Sequence, residues 1–177
     1  MPKLDPKKVQ AELDQDHVWP VYWIHGTESM KVREILKRIR KVVLEKRPHP
    51  FSAESVFDSQ EVDVPSILDA AQSPSLGGGT RLILVRDAHV LKNSEELSPL
   101  LGARKKVDEL ESVVVFISED LDARKKFSKL LVDQAAVVAC EEVLEGDREA
   151  WIGYLCKQRG VSLASEQVAH LFTLDPW

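Results

Sequence analysis

The stretch Gly26-Thr27-Glu28-Ser29-Met30-Lys31-Val32 joins an apolar run to an amphipathic one, where a phosphate-binding loop would join strand to helix. Such a loop has the form G-x-x-x-x-G-K-[ST]. Its glycines let backbone N–H groups wrap the phosphates, Lys reaches the outer phosphates, and Ser or Thr holds Mg²⁺. Here Gly26 is present, the second Gly is absent, Lys31 stands one place early, and Val32 has no oxygen for a metal. Glu28 would put negative charge inside the cradle. Gly26, Thr27 and Lys31 are therefore read as a degenerate loop that binds no nucleotide.

The partner of a phosphate loop is an apolar strand ending in Asp-Glu, which serves Mg²⁺ and the attacking water. The best match is "LILVRDAHVLK" (82–92). It resembles the Asp-Glu-Ala-His ending of AAA+ ATPases, but Arg86 stands where the metal-binding Asp belongs and Asp87 replaces the Glu. A guanidinium cannot ligate Mg²⁺ and repels it. The two motifs are thus defective independently.

Other chemistry finds no foothold. The histidines, at 17, 25, 49, 89 and 170, lack metal spacing, and no G-x-S-x-G elbow is present. "GGG" (77–79) precedes a strand and reads as a turn. "SEDLD" (118–122) reads as a strand-end loop and helix cap. Cys140 and Cys156, without CxxC spacing, are structural thiols. No catalytic residue, metal site or cofactor is expected.

The elements that would position these residues alternate. Asp5-Pro6 starts a short helix to about Asp14, Val21–Ile24 is a strand, and Ser29 caps a long helix. That helix carries Lys31, Arg33, Lys37, Arg38, Arg40 and Lys41 on one face and ends at "RPHP" (47–50). "FSAESVF" (51–57) reads as a strand and "VPSILDAAQ" (64–72) as a helix broken by "SPSLGGGT". "RLILV" (81–85) and "SVVVFIS" (112–118) are buried strands of the parallel type. "SEELSPLLGARKK" reads as helix or helical turn, "DARKKFSKLLVDQ" (122–134) as helix, and "AAVVACEEV" (135–143) as strand. From about Asp147 the pattern is helical, with Gly160 as a stop. This order predicts an α/β fold with a mostly parallel sheet flanked by helices, followed by the start of a small helical unit.

Composition sets the outer bounds. The 177 residues are 44% hydrophobic and 30% charged, as in soluble globular chains. No apolar run approaches the ~18 residues of a membrane span, and the first residues lack a secretory apolar core. A cytoplasmic location without membrane contact is expected. A net charge of −5 argues against nucleic acid as the main partner.

Taken in order, three stretches resemble the delta subunit of the bacterial DNA polymerase III clamp loader. They are "LDPKKVQAEL…VYWIHGTESMKVREILKRI", "ILDAAQSPSLGGGTRLILVRDAHVLK" and "SVVVFISEDLDARKKFSKLL…VVACEEVLEGDREAWIGYLCKQRGVSLASEQVAHLF". The resemblance implies a degenerate P-loop, AAA+-like domain over 1–143 and part of a helical lid over 144–177. The family's third, collar domain has no counterpart in these residues. It also implies no ATPase activity of the chain's own, although the family serves a DNA polymerase holoenzyme. The implied partners are the ring-shaped sliding clamp and, through a collar, other loader subunits, with DNA contact indirect.

In that family an apolar tip just before the "RL" strand enters a pocket on the clamp. The tip maps to Ser73, Pro74, Ser75, Leu76 and Gly77. Leu76 matches, but Gly77 replaces the usual Phe, and a buried Phe contributes about 2–3 kcal/mol. Two other readings stay open on the sequence alone. One is a nucleic-acid-binding module using Lys37, Arg38 and Lys41 beside Arg124, Lys125 and Lys126. The other is a divergent NTPase with Lys31 on a phosphate.

Overall fold

Alternation within the apolar runs sorts the core into two layers. The computed structural model describes residues 3–4, 6–45, 54–75, 78–122 and 126–174. In chain order the elements are β1 (Lys3–Leu4), α1 (Pro6–Leu13), β2 (His17–Val18), β3 (Val21–His25), α2 (Ser29–Leu44), β4 (Glu54–Asp58), α3 (Val64–Gln72), β5 (Arg81–Arg86), β6 (Lys105–Lys106), β7 (Ser112–Ser118), α4 (Lys126–Gln134), β8 (Ala136–Ala139), α5 (Arg148–Arg159) and α6 (Ser165–Leu174). Short 3-10 turns at Ala88–Val90, Ser94–Leu100, Val107–Glu109 and Glu145–Asp147 punctuate them.

Six strands make one sheet in the order β1-β8-β3-β7-β5-β4, and every pairing is parallel. Parallel pairing demands crossover helices, which cover both faces. Tyr22 and Ile24 of β3, with Leu82, Leu84, Val113 and Val115, pack with Val9 and Leu13 of α1 and Ile35 and Ile39 of α2. Val21, Trp23, Ile83, Val85 and Phe116 pack on the other side with Ile67 of α3 and Leu131 of α4. There the Trp23 ring stacks on Phe116 at 5.0 Å, and its Nε1 donates to Ser118 Oγ at 2.8 Å. The mostly parallel α/β architecture expected from the sequence is present.

Several local expectations need correction. β2 and β6 form an antiparallel pair, so residues 105–106 are extended rather than helical. The 3-10 turn holding Pro99 ends at Leu100, and pairing with β2 then claims the backbone. Buried Glu12 fixes this corner: it accepts from Trp19 Nε1 and Arg104 Nη1, each at 2.9 Å. The last strand stops at Ala139 rather than 143, because the Cys140 carbonyl turns to accept from Glu28 N. Strand β4 occupies 54–58, while 51–53 of the expected strand, 123–125 of the expected helix and Asp5 lie outside the described residues. Helix α2 is capped by the Glu28 side chain, not by Ser29, which is its first residue.

The chain divides into two compact units, Met1–Glu141 and Glu142–Trp177. In the second, Trp151 and Tyr154 stack at 5.3 Å on α5. Gly160 ends that helix at φ +66°, its N–H donating to Cys156 O and Lys157 O.

Helix α2 buries Ile35, Leu36, Ile39 and Val43 and exposes Lys37 and Lys41. In urea denaturation, Ile39→Ala should therefore lose about 2–5 kcal/mol, whereas Lys41→Ala should stay within about 0.5 kcal/mol of the parent. Comparable losses would mean that α2 buries another face.

Candidate functional site

The loop after β3 is held by backbone bonds on both sides. Gly26 N donates to Ser118 O of β7 at 3.2 Å, Cys140 N donates to His25 O at 2.6 Å, and Glu28 N donates to Cys140 O at 3.0 Å. Gly26 has φ +127°, and a Cβ there would stand 2.2 Å from the Cys140 carbonyl oxygen. Glycine is required on both counts.

A phosphate loop leaves its helix N-terminal amides and its lysine pointing at the ligand. Here Glu28 carboxylate accepts from Met30 N at 3.1 Å, and Lys31 Nζ donates to the Glu141 carbonyl at 2.7 Å. Thr27 is exposed. Burial pushes the nearby Cys140 thiol up to about 12, with Glu28 adding to the shift and Lys31 opposing it. That thiol stays protonated and serves as a packing group.

Arg86 and Asp87 lie at the same carboxyl edge, at the end of β5 and across β7 from the loop. The Arg86 side chain is exposed, and its carbonyl accepts from Ser59 N at 3.1 Å and Ser59 Oγ at 2.6 Å. Asp87 takes a left-handed φ of +53° and turns the chain into Ala88–Val90. Among the described residues no group of three or more His, Cys, Asp or Glu is placed to hold a metal ion.

The residues flanking the expected tip lie elsewhere. Helix α3 starts beyond the carboxyl end of β4 and returns to the amino end of β5, so 73–75 and 78–80 sit at the opposite edge of the sheet. Asp63 Oδ1 begins the helix by accepting from Ser66 Oγ at 2.6 Å and Ser66 N at 3.0 Å. These bonds, the hydroxyl one foremost, lower the Asp63 pKa. At the far end Ser73 N and Oγ donate to Asp69 O at 2.9 and 2.7 Å. Arg81 Nη1 reaches Ala70 O at 3.2 Å and Ser73 O at 3.3 Å. Pro74 is exposed and Ser75 half-buried. Gly78 N donates to Ser75 O at 3.0 Å, closing the loop on itself. Leu76 and Gly77, between these two, lie outside the described residues.

The basic face of α2 is not one free stripe. Lys37 and Lys41 are exposed, but Arg38 pairs with Asp14 at 3.7 Å and Arg40 with Glu54 at 2.7 Å. Lys31 is turned to Glu141. Arg124 and Lys125 lie outside the described residues. Two contacts escaped the sequence reading, the Glu28 cap and the Arg81 bonds. The only sequence signal for the first is a carboxylate directly before a helix start; the second has none.

Residues 22–141 match the family model described as DNA polymerase III, delta subunit. The chain is 27% identical to the DNA polymerase III subunit delta of Bacillus subtilis (strain 168), over 94% of this chain and 50% of that one. Its fold is similar to that of the Bacillus subtilis DNA clamp loader delta protein, with TM-score 0.74 and 24% identity over 94% of this chain and 51% of the other. A DNA polymerase III gamma subunit-related protein from Thermotoga maritima gives TM-score 0.50 at 12% identity, over 86% and 52%. The chain spans about half the length of each.

The close approach at Gly26 sets a measurable cost. Gly26→Ala should destabilise the chain by about 3 kcal/mol or more in urea, from the positive φ and the contact with Cys140 O combined. A loss within about 0.5 kcal/mol would show that the loop does not sit this tightly on β8.

Proposed function

The chain belongs to the DNA polymerase III delta-subunit family, and on that premise we propose that it is a non-catalytic clamp-binding module in DNA replication. The observation that carries this reading is the self-closed Gly26 loop. Its amide and its lysine are both engaged by groups of the chain itself, Glu28 and the Glu141 carbonyl. With Arg86 in the metal-ligand position, neither half of a nucleotidase site is offered to a ligand. The 1–143 region then acts as a scaffold, and 144–177 as the beginning of a helical lid.

The partner is the sliding clamp, met by Pro74, Ser75, Leu76 and Gly77. The exposed Pro74 and the Ser75–Gly78 closure support a presented tip. Because Gly77 lacks an aromatic side chain, Leu76 must carry most of the apolar contact, and affinity is correspondingly modest. Other loader subunits would be met through segments found in the other half of the relatives' length, and DNA only indirectly. Direct tracking of DNA by α2 is disfavoured, since Arg38 and Arg40 are spent on acidic partners. The module would work in the cytoplasm, with the replication machinery.

The test is direct binding to the sliding clamp of the same organism by surface plasmon resonance. Leu76→Ala should weaken binding at least about 10-fold, or about 1.4 kcal/mol, and Gly77→Phe should strengthen it. An unmutated chain that does not bind, or a Leu76→Ala chain that binds equally well, contradicts the reading.

A further inference from the structure

We infer that the cleft between the β4–α3 loop and the turns that follow β5 is a docking site for a segment of a partner protein that presents an apolar side chain flanked by Lys or Arg. The inference goes beyond the clamp reading and does not rest on it, since the cleft includes neither the Gly26 loop nor residues 73–80. Its volume is about 540 Å³. It lies at the carboxyl edge of the sheet, beyond the paired ends of β4 and β5, where open α/β sheets take their ligands. Val62, Pro65 and Val90 supply its accessible apolar lining, and Asp63, Lys92 and Glu96 its charges.

Both walls are built in advance. One is tied down where Ser59 N and Oγ donate to Arg86 O at 3.1 and 2.6 Å, and where Glu61 N and Val62 N donate to Asp58 O at 3.0 and 3.1 Å. The other turns on two left-handed residues, Asp87 and Asn93, each at φ +53°. Between them Ala88 and Leu91 are buried, at 2% and 7% exposure, yet Val90 is 41% exposed. The wall is anchored on both sides of Val90, so its outward position is fixed by the fold. A preformed apolar surface lowers the ordering cost of binding. Charge then selects the occupant. Asp63 and Glu96 outnumber Lys92 among the lining residues, and Glu61 and Glu95, next to lining residues in the chain, are exposed. Arg86 is exposed at the same edge but does not line the cleft. This rim repels a nucleic acid or an anionic membrane, and a second copy would bring its own net charge of −5. A basic segment with an apolar anchor matches both the lining and the rim. Asp63 Oδ1 already caps α3, so Glu96 is the carboxylate to test.

The experiment titrates the isotopically labelled full chain with a short amphipathic peptide of Leu and Lys, and with its counterpart of Leu and Glu, following backbone amide shifts. The Leu–Lys peptide should give saturable shifts at Gln60, Val62, Val90 and Glu96, and the Leu–Glu peptide none. Glu96→Lys and Val90→Ser, both at exposed positions, should keep the parent Tm and each weaken binding about tenfold, or about 1.4 kcal/mol. Glu109→Lys, exposed in the turn before β7, should bind as the parent does. Shifts spread over the acidic surface, or an equal loss in Glu109→Lys, would reduce the attraction to non-specific charge and overturn the inference. Unchanged binding by Val90→Ser would overturn it as well. So would the absence of saturable shifts at about 1 mM Leu–Lys peptide, or equal binding at these residues by the Leu–Glu peptide or single-stranded DNA.

Discussion

One close approach governs the carboxyl edge of the sheet: the Gly26 backbone against the Cys140 carbonyl. Any Cβ at Gly26 would stand 2.2 Å from that oxygen. The contact ends β8 early and lets Glu28 N reach Cys140 O. It also brings Lys31 within 2.7 Å of Glu141 O. Once the loop lies this way, the Glu28 carboxylate falls on the first turn of α2. The position that could cradle an anion is filled by the chain's own anion.

Magnitudes decide what that means for a phosphate. A helix N-terminus offers an exposed anion about 0.3–1 kcal/mol. A second unit negative charge about 4 Å from Glu28 would cost roughly 1 kcal/mol in water and about 4 kcal/mol near a protein surface. Repulsion outweighs attraction, and Lys31 cannot redress the balance without leaving its carbonyl. Arg86, exposed at the end of β5, adds no metal ligand. The same parallel topology puts the end of α3 and the start of β5 at the other edge, since each crossover helix carries the chain back to the amino ends of the strands.

What could be read in advance was what local pattern determines. Residues 112–118 are apolar in nearly every place and can only be a doubly buried strand, as β7 is. Residues 64–72 carry Asp63 before them, Pro65 in their first turn and apolar residues at helical spacing, and they form α3. What could not be read depends on partners far along the chain. The two-residue β6 exists only because His17 and Val18 pair with it. Glu28 displaces Ser29 as the cap because Cys140, over a hundred residues away, fixes the preceding backbone. Arg81 read as the first residue of a strand, and its bonds to α3 follow from the sheet placing it beneath that helix. The broken stripe on α2 has the same origin, since Asp14 and Glu54 come from other elements.

The most direct test of the closed loop is a titration of the isotopically labelled chain with Mg²⁺-ATP, following the backbone amide shifts of Gly26 through Lys31. At about 5 mM nucleotide, enough to fill most of a site with Kd of ~1 mM, the closed loop predicts no saturable shift at Met30 or Lys31. Saturable shifts confined to these amides, accompanied by a rise in Tm, would mean that Glu28 and Lys31 yield to phosphate and that the site is open after all.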